Sequence, residues 1–157
     1  AKMKIAYVSD NQEFIGSYSV KGLLKVYKNF FPDFSTKRFY ELNALFEINV
    51  KKQISNLSRG EKMRLGFMLA LSQGAEYLLL DEPTASIDDV SEKQLIDHLK
   101  LWLGQRTMIV ATHRRAVLEL VDRIIVVNDG KIVMDGPRDQ ILNQNQPQQR
   151  QVAGANS

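Results

Sequence analysis

Apolar positions change rhythm several times along the chain, and each change marks an element. Residues 4 to 9, KIAYVS, form a short run rich in β-formers and predict a strand, and the polar DNQEFIGSYS that follows reads as a loop. From Val20 to about Asn49 the apolar residues Leu23, Leu24, Tyr27, Phe30 and Phe31, then Phe39, Leu42, Leu45 and Phe46, recur at close to helical spacing, with Pro32 between the groups. This predicts two helices whose aromatic stripe faces a core. Ser58 and Glu61 then stand in S-x-x-E spacing, the reciprocal capping box that satisfies two orphan N–H donors, so a helix is expected from about Arg59 to Ser72. Gly66 inside it costs about 1 kcal/mol relative to Ala, which asks for a close packing contact or simple tolerance, and Gly74 suits the helix exit.

Strand-like runs follow at Tyr77 to Leu80, Thr107 to Ala111 and Arg123 to Asn128, separated by helical stretches at about Asp89 to Leu103 and Arg114 to Leu120. That alternation reads as parallel α/β. Asn128-Asp129-Gly130-Lys131 between two apolar runs is a hairpin signal, because Asp-Gly supplies the positive φ angles of a type I′ turn, so Ile132 to Met134 is expected antiparallel to its predecessor. A short helix follows Pro137. From Asn143 onward the Gln/Asn-rich NQNQPQQRQVAGANS has almost nothing to bury and predicts a disordered tail.

With 157 residues, 44% hydrophobic and 25% charged, the composition is that of one ordinary globular domain. The longest apolar run, Phe67 to Leu71, falls far short of the roughly 20 residues that span a bilayer, and no charged-then-apolar leader opens the sequence. The absence of cysteine excludes disulfides and thiolate metal sites, and the two histidines, His98 and His113, stand alone. Charge is uneven. Residues 1 to 75 carry twelve Lys/Arg against six Asp/Glu, and residues 76 to 157 nine against twelve. A basic half suits an anionic ligand or a nucleic acid, and equally a solvated helical face.

Three stretches carry candidate chemistry. In Leu78-Leu79-Leu80-Asp81-Glu82-Pro83-Thr84 an apolar strand ends in two adjacent carboxylates and a proline that stops it. Where the backbone turns at a strand end, one carboxylate can hold Mg²⁺, usually through water, while its neighbour orients an attacking water. Leu57-Ser58-Arg59-Gly60-Glu61 puts a hydroxyl, a glycine and a positive dipole end at a helix start, the parts of a phosphate site. His113 lies just beyond the strand Met108 to Ala111, at the end where parallel sheets face their ligands. Taken singly, each has a plain structural reading as well: a surface acidic pair, an ordinary helix cap, an unremarkable histidine.

Together, in this order and spacing, they resemble the nucleotide-binding domain of ATP-binding-cassette (ABC) transporters over about residues 4 to 142. LSRGE looks like the family signature, LLLDEPT like its Walker B segment, ASID like its D-loop and ATH like its switch histidine. The resemblance implies ATP and Mg²⁺ as ligands: Asp81 helps hold Mg²⁺, Glu82 polarises the attacking water, and His113 contacts the γ-phosphate. Ser58 and Gly60, within the signature that also includes Arg59 and Glu61, touch ATP held by a second protomer, and Asp88 with Ser86 lies in the loop that crosses the dimer interface. The implied partners are that second ATPase protomer and a transmembrane permease, with the chain cytoplasmic, peripheral at the inner face of a membrane, and without a transmembrane segment of its own.

The sequence also departs from the family pattern. No G-x-x-x-x-G-K-[ST] phosphate loop is present, since the one Gly-Lys pair, Gly130-Lys131, is followed by Ile132 and lacks a glycine at position 125. The chain therefore looks like a domain without its N-terminal, Walker A lobe, inactive by itself. Asp10 stands where the family's coupling loop usually shows Gln, with Gln12 two residues later. Residues 4 to about 75 look most like cassettes of drug or antibiotic exporters, and residues 86 to 142 more like cassettes of type I secretion exporters, as in a mosaic or chimera. The expected fold class is α/β: a partial P-loop NTPase-like, mostly parallel sheet, with an inserted helical subdomain at about 20 to 74 and a C-terminal β-hairpin, the domain ending near residue 142. Two other functions stay open. One is a non-hydrolytic signature module that pairs with an intact cassette. The other is the distal lobe of a DNA-repair or chromosome-maintenance ATPase, which the basic first half favours and which the absence of heptads before Ser58 opposes, leaving nucleic acid an unlikely partner.

Overall fold

A computed structural model describes residues 4–9, 11–85, 87–104 and 106–144. Three strands, β1 (Ile5–Ser9), β2 (Tyr77–Asp81) and β3 (Thr107–Ala111), form a parallel sheet in the order β1-β2-β3. Helices α1 (Val20–Phe30), α2 (Thr36–Phe46) and α3 (Arg59–Ser72) intervene between β1 and β2, and α4 (Asp89–Leu103) between β2 and β3. Parallel neighbours require such crossovers, so alternation of strand and helix in the sequence translates directly into this topology. The family-independent expectation of a mostly parallel α/β fold with a helical insertion is what the backbone shows.

Helix α3 is the central packing element. Met63, Leu65, Phe67, Met68 and Leu69 are all buried, as are Gly66, Ala70 and Leu71, so the helix is covered on nearly every side. Phe39 and Leu42 of α2 and Ala6, Val8, Leu78 and Leu80 of the sheet share its core. The predicted bounds and capping box are both present: Ser58 Oγ accepts from the Glu61 N–H at 3.1 Å, and a Glu61 oxygen accepts from the Ser58 N–H at 2.7 Å. Gly66 answers the packing question, because a Cβ there would lie 3.1 Å from the Gln12 side chain. At the other end Gly74 adopts φ +77°, and a Cβ would come within 2.7 Å of Asp33 Cβ.

The sheet has unequal faces. Ala6, Val8, Leu78 and Leu80 alternate inward, whereas Ile5 (54% exposed), Tyr7 (58%) and Ile109 (63%) line the opposite face. Parallel sheets ordinarily bury both faces, and here one remains apolar and open.

The chain divides at Leu120 into two compact units, the second beginning at Val121. In the second, β4 (Arg123–Asn128) and β5 (Lys131–Pro137) pair only with each other among the described residues, antiparallel, and α6 (Arg138–Gln144) follows. Asp129 (φ 47°) and Gly130 (φ 73°) make the positive-φ turn that the Asp-Gly pair predicts. The expected antiparallel hairpin is present, with Ile132 to Met134 lying within β5 and paired to β4. Helix α5 is also shorter than expected, Arg115–Leu118. The predicted tail lies outside the described residues from position 145.

Candidate functional site

At the carboxyl end of the sheet, β2 finishes at Asp81, paired in register with Ser9 on one side and Ala111 on the other. Asp81 is exposed there. The next residue, Glu82, takes φ 44°, a left-handed backbone that a residue with a side chain adopts at a cost of order 1–3 kcal/mol. Its N–H donates to Ala111 O at 2.9 Å and its own carbonyl accepts from the Ala85 N–H at 3.2 Å, so the chain leaves the strand in a tight turn at Pro83.

That turn aims the Glu82 carboxylate at the residues following β3. One oxygen lies 2.7 Å from His113 Nδ1, and the other accepts from Thr112 Oγ1 at 3.4 Å. An ionised carboxylate only accepts, so in this pair Nδ1 is the donor. Glu82 is one-third exposed and His113 four-fifths. Thus Glu82 and His113, 31 residues apart and chosen separately from the sequence, form one pair. Thr112, which no sequence pattern marks by itself, also accepts from the Arg114 N–H at 3.1 Å through its hydroxyl, which ties the loop down.

Asp88 caps α4, its carboxylate accepting from the Ser91 N–H at 2.9 Å, and that hydrogen bond holds it below the usual carboxylate range. Two arginines outside the sequence-derived set hold this turn. Arg64 of α3 donates to Ser91 Oγ at 3.4 Å, and Arg114 donates to the nearly buried Glu92 at 3.0 Å. The first turn of α4 therefore joins α3 to the His113 loop.

Ser58 and Glu61 are engaged in the cap of α3. Glu61 also accepts from Lys52 Nζ at 3.0 and 3.1 Å, and its carboxyl is held below the ordinary value first by the Ser58 N–H and then by Lys52. Arg59 and Lys62 border a polar cleft of about 420 Å³ whose other wall is Asn11, Gln12, Glu13 and Phe14. Asp10 and Ser86 lie outside the described residues. Among the described residues, no cluster of three or more His, Asp or Glu side chains makes an all-protein metal cage. One exposed carboxylate such as Asp81 suits Mg²⁺, which keeps waters and phosphate oxygens as its other ligands. No helix among the described residues is long and apolar enough to cross a membrane.

Comparison with known proteins gives a consistent picture. The family model described as ABC transporter matches residues 1–85. An ATP-dependent lipid A-core flippase of Neisseria meningitidis is 41% identical over 91 residues, covering 58% of this chain and 15% of that protein. Multidrug resistance protein homolog 65 of Drosophila melanogaster is 40% identical over 88 residues, 56% of this chain and 7% of its own length. The chain thus spans about a sixth or less of these relatives. Among solved structures, a dimeric ATP-binding cassette in a post-hydrolysis state bound to ADP and Pi aligns at TM-score 0.74 and 21% identity, over 87% of this chain and 64% of that one. The ATP binding subunit of an ABC transporter aligns at 0.76 and 14%, over 90% and 62%. These likenesses establish the fold, and the match to more than half of the chain establishes the family: the chain belongs to the ABC transporters, as part of their nucleotide-binding domain.

Proposed function

We propose that the chain supplies the signature, Walker B, D-loop and switch-histidine elements of a composite ATP site that powers an ABC exporter. The observation that carries this reading is the Glu82–His113 pair beside Asp81 at the carboxyl end of the sheet. The relatives, an ATP-dependent lipid A-core flippase and a multidrug resistance protein homolog, favour export.

Asp81 would hold Mg²⁺ together with phosphate oxygens and water, and the ion would neutralise charge developing on the phosphates. Glu82, fixed by His113 Nδ1–H, would orient and polarise water for in-line attack, and the second ring nitrogen of His113 would meet the γ-phosphate. Ser58, Arg59, Gly60 and Glu61 would form the edge that meets ATP held by a second protomer, with Asp88 at the crossing between them. A transmembrane permease would be the third component, placing the assembly at the cytoplasmic face of a membrane.

Phosphoryl transfer is mostly positioning and electrostatic stabilisation, and the 157 residues contain no phosphate-loop motif. The apolar open face of the sheet supports the same view, that this chain works against a neighbouring lobe. Alone, it hydrolyses Mg-ATP negligibly; steady turnover by the purified chain that disappears in Glu82→Gln would contradict this account of a composite site.

A further inference from the structure

The far ends of α3 and α4 carry a second feature, independent of the ATP reading. A cleft of about 380 Å³ lies between the start of α2 and the ends of α3 and α4, lined in part by Asp33, Ser35, Arg38, Ser72, Trp102 and Arg106. Helix α3 is 14 residues long, so the cleft lies about 20 Å from the Ser58 cap along its axis.

Three observations give this cleft the character of an anion site. The first turn of α2 has no acidic residue and carries Lys37 and Arg38 instead, cations at the positive end of the dipole, where a negative charge is favoured. Glu41 reaches back to them, 3.9 Å from Lys37 and 3.6 Å from Arg38. On the opposite wall the Arg106 guanidinium lies over the Trp102 ring, 4.7 Å from its centroid, and donates to Trp102 O. Trp102 is itself fixed, because its Nε1–H donates to Leu71 O at 3.1 Å. A guanidinium held in one plane keeps its remaining donors in a fixed fork, which suits phosphate geometry. Finally, Ser72 is 1% exposed and lines the same cleft, and its Oγ has no hydrogen-bond partner. A buried hydroxyl left in that state costs free energy that an oxyanion acceptor would recover.

We propose that this cleft binds a phosphate oxyanion, with Arg38 and Arg106 on either side and the Ser72 hydroxyl donating between them. Asp33 on the wall opposes the anion, so binding is modest in affinity and strongly weakened by salt. A soluble phosphate compound and a phospholipid headgroup offer the same group.

Trp102 is the chain's one tryptophan, which makes its fluorescence a reporter at the site. Inorganic pyrophosphate titrated at low ionic strength into the full chain gives a saturable change. Arg38→Gln, which leaves the Arg106–Trp102 stack intact, weakens binding about tenfold or more, as loss of a charge-assisted contact should. Ser72→Ala weakens it several-fold without lowering the unfolding midpoint, since the hydroxyl makes no bond within the protein. In a second arm, phosphatidylglycerol vesicles replace pyrophosphate. A response to pyrophosphate assigns the site to soluble phosphates, and a response to vesicles alone assigns it to headgroups. No saturable response to either probe, or a response unchanged in both Arg38→Gln and Ser72→Ala, overturns the proposal.

Discussion

The Ser58 turn and the Glu82 turn are the two places that the proposed ATP chemistry calls on, and they are built on opposite terms. Ser58 sits in a closed local arrangement: cap, Glu61 and Lys52 satisfy one another within ten residues, and α3 gains stability from them. Glu82 sits in a left-handed conformation that disfavours a side chain, with its carboxylate held across the sheet end by Thr112 and His113. One turn stabilises the fold on which it stands, and the other costs stability. Strain maintained by surrounding structure is a pattern of functional positions, and the contrast identifies Glu82 as the more specialised of the two.

The contrast is testable by substitution. The largest effect falls on neither turn but on their common platform: Phe67→Ala in the buried face of α3 costs about 3–5 kcal/mol in denaturant unfolding and removes both arrangements together. Ser58→Ala follows, with a loss of about 1 kcal/mol from the missing cap, and leaves the His113 ring resonances unchanged. Glu82→Gly has the opposite sign. Glycine relieves the left-handed backbone, and the partly exposed His113 pair that is lost is worth little, so stability rises by up to about 1 kcal/mol while the carboxylate disappears. If Ser58→Ala and Glu82→Gly shift the unfolding midpoint in the same direction, the contrast is wrong. The smallest effect is in pH dependence. Glu61 is held below its ordinary value of 4.5, so its contribution is fully present above that value and is lost as pH falls through the lowered one. Glu61→Gln flattens that acid limb of the stability curve.

Why one turn was legible in the sequence and the other only partly so follows from distance along the chain. The capping box is an i, i+3 pattern and the β4–β5 turn a dipeptide preference, and both appear where Ser58-x-x-Glu61 and Asp129-Gly130 predict them. The bounds of α3 were equally plain, because a cap and an exit glycine flank one apolar run. Sheet partnership between strands far apart in the chain is a non-local choice, so the order β1-β2-β3 and its register are not written in any one run. Glu82 and His113 could each be picked out from their places after apolar strands and from the family resemblance. Their contact, the φ of Glu82, and the links Arg64 to Ser91 and Arg114 to Glu92 depend on how β2, β3 and α4 meet. No window of sequence holds that information. The open face with Tyr7 and Ile109 is a similar case, since an apolar alternation cannot say which face will be covered.

The central claim is that the Ser58 turn acts on a partner's ATP while the Glu82 turn acts on chemistry at its own. The most direct measurement is sedimentation of the full chain with an intact ATP-binding cassette that carries its own phosphate loop, with and without Mg-ATP. The account predicts an ATP-dependent complex that persists in Glu82→Gln and is lost in Ser58→Arg; a complex that forms equally without ATP, or one that Ser58→Arg leaves intact, would contradict it.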